Sequence, residues 1–87
     1  MVAYEFQKGR YAFAVCRIEP ENNIHLILDA FRDAPPFPVA IVGNWDHGDY
    51  GRELREKHRN APSVHLLDPI YDTEKLNAIR SRCSLYL

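Results

Sequence analysis

Short apolar runs alternate with stretches of helical periodicity along this chain, and that alternation limits the folds open to it. Three runs are wholly or mainly apolar and end in turn-forming residues: Tyr11–Val15, Val39–Val42 and Val64–Leu67. Continuously apolar strands are typical of parallel sheets, whose two faces are both covered. Helices are predicted over about Asn23–Asp33, over about Tyr50–Asn60 and from an Asp72 or Thr73 cap to about Arg82, and a fourth strand begins near Cys83. The order β-α-β-α-β-α-β predicts a three-layer, Rossmann-like α/β fold with a parallel sheet.

The predicted helices differ in how much apolar surface they carry. The first repeats apolar residues at helical spacing, through Ile24, Ile27, Leu28 and Phe31. Its opposite side is expected to face solvent and carries His25, Asp29 and Arg32. The second is strongly charged, so few residues are expected to face inward: Leu54, with Tyr50 and His58.

Composition limits the domain count and the partners. With 87 residues the chain can form at most one small domain, and we divide it into a lead-in (residues 1–10) and a partial domain (residues 11–87). A net charge of −1, with acidic and basic residues interleaved, gives no electrostatic basis for nucleic-acid binding. No apolar run approaches the roughly 20 residues of a membrane span. Two cysteines make no disulfide framework, so a reducing, cytoplasmic location is expected.

Arg17 directly follows the first predicted strand and precedes a proline-containing turn. In an open parallel sheet, the carboxyl ends of the strands line a crevice for ligands, and helix amino termini direct free N–H groups toward it. A guanidinium suits phosphate or carboxylate there, because its planar fork makes paired hydrogen bonds. Arg17 is therefore a candidate anion-binding residue. The alternative is a surface ion pair with Glu19 or Glu21.

Three pieces of the chain carry a family resemblance. They are Cys16-Arg17-Ile18-Glu19-Pro20-Glu21-Asn22, then Ile41-Val42-Gly43, and then Val64-His65-Leu66-Leu67 followed by Ile70-Tyr71-Asp72 and Leu76. In this order and spacing they resemble the carboxyl-terminal, donor-binding domain of retaining GT-B glycosyltransferases of family 4. The narrower similarity is to bacterial rhamnosyltransferases of polysaccharide assembly. The resemblance runs from about Tyr11 to Leu87 and implies half of a GT-B carboxyl-terminal domain.

The resemblance implies a set of donor-binding residues: Arg17, Asn22, Gly43, Ile70, Asp72 and Leu76. Arg17 matches the arginine that contacts the donor diphosphate, whereas Asn22 stands where most of the family has a lysine. Ile70 matches a position whose backbone recognises the base, and Leu76 matches one that packs against it. Gly43 would let the backbone approach the donor closely.

Asp68 departs from the family pattern, because the wider family usually has glycine at that position. The expected shape of the base pocket changes with it.

The implied parent enzyme transfers a hexose, such as rhamnose, from a nucleotide-diphosphate sugar in bacterial polysaccharide biosynthesis. The nucleotide sugar is a substrate, and no cofactor, metal or catalytic residue is implied within this chain. The acceptor-binding domain is expected elsewhere in a longer parent chain, located in the cytoplasm or at the inner membrane surface. This piece alone is expected to be inactive, because nothing would hold the acceptor in attack geometry. Its exposed strand edges predict self-association as a homo-oligomer.

Single residues suggest two other hypotheses, a cysteine nucleophile and a metal site. Cys16 could act as a nucleophile, but related phosphate loops need an arginine where this chain has Asn22, so a small buried cysteine is the simpler interpretation. His47 lies between Asp46 and Asp49 and could help to hold a divalent ion, although short polar loops of this kind are more often solvated turns.

The main alternative function is a self-contained flavodoxin-like or receiver-like module that binds or regulates. A receiver gathers acidic residues at the strand ends, and Glu19, Glu21 and Asp68 loosely match that arrangement. Arg17 in the middle of such a pocket fits it poorly.

Overall fold

The computed structural model describes residues 4–33 and 35–87 and has an α/β fold. Its strands and helices are, in chain order, β1 (Ala12–Val15), α1 (Ile24–Asp33), β2 (Val39–Val42), α2 (Asp49–Lys57), β3 (Val64–Leu67), α3 (Thr73–Arg82) and β4 (Leu85–Tyr86). Two short 3-10 helices, Glu5–Lys8 and Pro20–Asn22, precede β1 and α1. The predicted alternation is confirmed. The predicted second helix was too long at its carboxyl end, and β4 begins two residues after Cys83.

The four strands form one parallel sheet in the order β3-β2-β1-β4. Ala12 of β1 pairs with Val39 of β2 on one side and with Leu85 of β4 on the other. The chain therefore moves from β1 outward to β3 and then returns to the far side of β1. All four strands end at the same edge of the sheet. The predicted Rossmann-like parallel sheet is confirmed.

The sheet is packed on both faces. One face carries α1 and α2, whose buried Ile24, Leu28 and Leu54 join Ala14 of β1 and Ile41 of β2 in a first core. The alternation of side chains along a strand sends the neighbouring residues to the other face. There α3 contributes Ile79 to a second core, which holds Tyr11, Phe13, Ala40 and Val42. Reversal of the chain after β3 places α3 opposite the other two helices.

Part of the lead-in packs on the second face. Phe6, in the first 3-10 helix, is buried and lies 5.1 Å from the Tyr11 ring and 5.0 Å from the His65 ring, measured between centroids. Tyr4 stacks on Phe6 at 5.3 Å. The sequence leaves the structure of this lead-in undecided, because the segment has no clear period. Residues 1–3 of the lead-in lie outside the described residues.

The side of α1 that was predicted to face solvent instead faces α2. His25 lies against Tyr50, and Asp29 pairs with Lys57 at 3.1 Å. His58, whose side chain is fully buried, places its Nε2 3.5 Å from the same Asp29 carboxylate. The side of α1 that faces solvent carries Leu26. The helix periodicity locates one apolar face, but it does not locate the neighbouring helix.

No helix within residues 4–33 and 35–87 is both long enough and apolar enough to span a bilayer.

Candidate functional site

A cleft of about 610 Å³ opens where β1 and β2 end. It is lined by the exit of β1 and by the loop after β2: Val15, Cys16, Arg17, Ile18, Glu19, Asn44 and His47. We call it the β1–β2 cleft. Its position at the carboxyl edge of a parallel sheet is the one predicted for a ligand site.

The loop after β1 is held by its own polar groups. The side-chain amide of Asn22 donates to the carbonyl oxygen of Arg17 at 2.8 Å. Asn23 adopts a left-handed conformation, with φ of 55°, and ends the second 3-10 helix just before α1 begins. Asparagine tolerates this conformation better than most residues. Asn22 therefore fixes the loop that carries Arg17, whereas the resemblance had implied contact with the donor.

Gly43 is required by the packing of this loop. A Cβ at Gly43 would lie 2.5 Å from Ile18 Cδ1 and 2.9 Å from the carbonyl oxygen of Cys16. Ile18 is buried and anchors the loop on the first core. The space beside Gly43 is thus filled by the chain itself, whereas the resemblance had implied a close approach of the donor.

Arg17 has no ion-pair partner among the described residues. The ion pairs formed by arginines within the described residues involve Arg32, Arg52, Arg55 and Arg59. None of those ion pairs links Arg17 to Glu19 or Glu21, so the alternative of a surface ion pair is not supported. Arg17 is exposed, and Glu19 is the one carboxylate that also lines the cleft.

The loop after β2 is anchored from two directions. Trp45 is fully buried, and its indole N–H donates to the carbonyl oxygen of Leu67 at 3.0 Å. Asp46 is held by α2, because Arg52 donates to its carbonyl oxygen at 2.9 Å and Arg55 lies 3.2 Å from its carboxylate. These anchors leave Asn44 to line the cleft beside Arg17.

A second cleft of about 480 Å³ lies at the end of β3, and we call it the β3 cleft. Its lining combines the β3 exit with the start of α3 and the lead-in: Tyr4, Leu66, Leu67, Asp68, Pro69, Ile70, Tyr71, Asp72 and Lys75. Arg55 links the loop after β2 to the loop after β3, because its second Nη donates to Asp68 at 2.7 Å while the first contacts Asp46.

The six predicted donor-binding residues do not all line the same cleft. Ile70 and Asp72 line the β3 cleft, and Asp72 caps α3 by accepting from the backbone N–H of Lys75 at 3.2 Å. Leu76 packs on the second core. Arg17 alone of the six lines the β1–β2 cleft. The resemblance grouped all six as one donor site and could not divide them between two clefts.

The amino terminus of α1 is capped by α2. The backbone N–H of His25 donates to the Tyr50 hydroxyl at 3.0 Å, and the same hydroxyl lies 2.6 Å from His25 Nδ1. We had expected the N–H groups of this helix to point toward the ligand. The backbone N–H group of His25 already has a hydrogen-bond acceptor within the protein, the Tyr50 hydroxyl.

The geometry weakens the nucleophile and metal hypotheses. Burial raises the pKa of the Cys16 thiol, which lowers the fraction of reactive thiolate. Asp49 pairs with Arg52, just as Asp46 pairs with Arg55, so both carboxylates beside His47 already have cationic partners. Across residues 4–33 and 35–87, no three His, Cys, Asp or Glu side chains come together as a metal site.

The acidic residues of a receiver-like pocket are not brought together either. Glu19 lines the β1–β2 cleft, whereas Asp68 lines the β3 cleft and pairs with Arg55.

Comparison of the chain with protein-family models, with curated proteins and with solved structures gives no significant match. The class defined by the coordinates is a small Rossmann-like α/β protein with a polar cleft at the carboxyl edge of its sheet.

Proposed function

We propose that the β1–β2 cleft binds the diphosphate of a nucleotide-diphosphate sugar, and that this chain supplies part of the donor site of a retaining glycosyltransferase. One observation carries the proposal. An arginine without an ion-pair partner among the described residues lines an open cleft at the carboxyl end of β1. The proposal also draws on the resemblance of the segments around Arg17, Gly43 and Ile70 to family 4 enzymes.

The chemistry of the cleft suits a diphosphate. The guanidinium of Arg17 can donate two parallel hydrogen bonds to phosphate oxygens, and the Asn44 amide can donate another. In the parent enzyme, negative charge grows on the diphosphate as the glycosidic bond breaks. A fixed cation beside it stabilises that charge more in the transition state than in the ground state. We assign this role to Arg17.

The nucleotide base would occupy the β3 cleft. This cleft presents the backbone of Ile70 and the ring of Tyr71, which is 91% exposed and available for stacking. The carboxylate of Asp68 is directed to Arg55, which leaves the neighbouring backbone of Pro69 and Ile70 to contact a base. The sugar, with rhamnose as one candidate, and the acceptor would lie toward parts of the parent protein other than this chain.

The test is a backbone amide NMR titration with uridine, thymidine and guanosine diphosphates. We expect shifts confined to residues 16–23, 43–47 and 68–72, because these segments line the two clefts. Arg17→Gln should weaken binding by about tenfold or more, since a charge-assisted hydrogen bond contributes about 1.5–3 kcal/mol.

Arg10→Gln is the matched control. Arg10 is also an exposed arginine, but it precedes β1 and therefore lies at the opposite edge of the sheet. The Arg10→Gln variant should bind the nucleoside diphosphates with the same affinity as the wild type. Equal losses in the two variants would indicate non-specific attraction, and a dispersed spectrum that no nucleotide changes would favour a receiver-like or flavodoxin-like module instead.

A further inference from the structure

Successive side chains of the loop after β2 enter different surroundings. Trp45 is buried in the first core and Asp46 is bonded to α2, whereas Asn44 and His47 both line the β1–β2 cleft. The backbone N–H of His47 donates to the carbonyl oxygen of Asn44 at 3.3 Å and closes the turn between them. His47 is thus exposed but held at the cleft by a loop that is anchored on both sides of it.

The carboxylates nearest to His47 in the chain are neutralised by α2. Asp46 contacts Arg55 at 3.2 Å through both of its carboxylate oxygens, and Asp49 accepts from Arg52. These pairs reduce the competition for the imidazole from its own loop. They leave a protonated His47 able to interact with a ligand in the cleft.

The facing wall of the cleft comes from the loop after β1. It presents one cation, Arg17, one carboxylate, Glu19, and the Cys16 thiol. With His47 neutral, Arg17 and Glu19 balance each other. With His47 protonated, the cleft carries a net positive charge, which favours a dianion over a neutral ligand.

We propose that His47 is a second ligand-contacting residue of the cleft and that its imidazolium binds the donor diphosphate together with Arg17. This inference rests on the proposed function and adds a pH dependence to it. Histidine side chains change charge between about pH 5 and pH 8. Affinity for the diphosphate should therefore be higher at the acidic end of this range, and Arg17 should still hold the diphosphate when His47 is uncharged.

The test uses a probe whose own charge is constant, so that any pH dependence comes from the protein. The diphosphate of a nucleotide sugar is a diester and does not titrate near neutrality. The probe is UDP-glucose, dTDP-glucose or GDP-mannose, according to which nucleoside diphosphate binds best. Wild-type affinity should be about threefold higher at pH about 6 than at about 8, the range in which histidine titrates.

Two substitutions at the same exposed position separate charge from shape. His47→Gln should bind with the wild-type affinity of about pH 8 and lose the gain at about pH 6, because the amide cannot become charged. His47→Lys keeps a positive charge throughout, so its affinity should be high at both pH values. His25→Gln, a histidine outside the cleft, should keep the wild-type pH dependence.

The outcomes separate this inference from the proposed function. Binding that requires Arg17 but has the same pH dependence in His47→Gln would overturn the role of His47 and leave the proposed function standing. Wild-type binding with the same affinity at both pH values would also overturn the role of His47 and leave the proposed function standing. If none of the nucleoside diphosphates binds, both proposals fall.

Discussion

At the scale of single residues, Gly43 shows that a residue at a ligand-binding edge can be required by the fold. Its missing Cβ leaves room for Ile18 and for the carbonyl group of Cys16, which belong to the loop that presents Arg17. The conformation of Gly43 does not demand glycine, because the only residue with positive φ among those described is Asn23. Contact between two loops is therefore the reason for glycine at this position.

Gly43→Ala should lower the free energy of unfolding by about 1–3 kcal/mol, because the added methyl group overpacks a filled contact. One of the atoms it would meet is a backbone oxygen, which cannot move without moving the loop. Urea denaturation followed by circular dichroism measures the change.

Gly9→Ala is the matched control, because a Cβ at Gly9 would have no heavy atom within 4 Å. Its effect should stay within about 0.5 kcal/mol. If the two variants were equally stable, the contact between Gly43 and Ile18 would have no energetic importance.

Residue-scale prediction succeeded where a residue type has one dominant chemical use. Arg17 was predicted as an exposed cation at the end of a strand and is found there. It did not foresee the loop contact of Asn22, because an amide bonds equally well to a phosphate or to a nearby carbonyl group, and only the folded loop shows which protein partner it has. Asp72 was predicted in two roles, and the helix cap is the one that the structure shows.

At the scale of elements, the contact between α1 and α2 buries a histidine among charged groups. His58 is fully buried at the end of α2, close to Asp29 and Lys57. Neither of its ring nitrogens has a hydrogen-bond partner among the described residues. Burial lowers the pKa of His58, and Arg32 acts in the same direction, against the attraction of Asp29.

This shift makes stability depend on pH. Because the pKa of His58 is lower in the folded state than in the unfolded chain, the unfolded chain takes up its proton first as the pH falls. The stabilisation is complete above the unfolded value of about 6.5 and is lost below it. Burial lowers the pKa of His65 as well, which adds to the same trend. The free energy of unfolding should therefore fall between about pH 7 and pH 5.

His58→Leu should make this decline shallower, because one of the two histidines with a lowered pKa no longer titrates. Urea denaturation at several pH values gives the slope. An unaltered slope in His58→Leu would show that the His58 imidazole does not cause the pH dependence of the free energy of unfolding.

At the scale of the whole molecule, the sheet ends in an edge strand that carries apolar side chains. Among the strands that the structure describes, β4 pairs with β1 only, and Leu85 is 46% exposed. Leu85 pairs with Ala12, so both side chains lie on the sheet face of the first core. An apolar edge with free backbone groups favours pairing with a second copy of the chain.

Leu85→Lys should shift the protein toward monomer at high concentration, because a charge on an edge strand opposes strand pairing. Analytical ultracentrifugation over a concentration series measures the shift. Leu26→Lys is the control, because Leu26 is an exposed leucine on α1, away from the strand edge. A wild type that stays monomeric at every concentration would contradict the proposed self-association.

The strands, the helices and their order follow from the sequence by itself. Continuous apolar runs and helical spacing are local patterns, and a parallel sheet with helices on both faces is the arrangement that buries them all. Local patterns likewise place Arg17 at the edge of the sheet where ligands bind, because parallel strands end together.

The tertiary structure alone decided which of these residues share a cleft and which contacts they make. Phe6 covers the second face although its segment has no period, because its burial depends on the Tyr11 ring and on the distant His65 ring. His25 and Asp29 face α2 because both crossovers from β1 to β3 pass over the same face of the sheet. His47 reaches the cleft because Trp45 and Asp46 are held elsewhere. Each of these outcomes depends on residues far apart in the chain, and a local pattern carries no information about such partners.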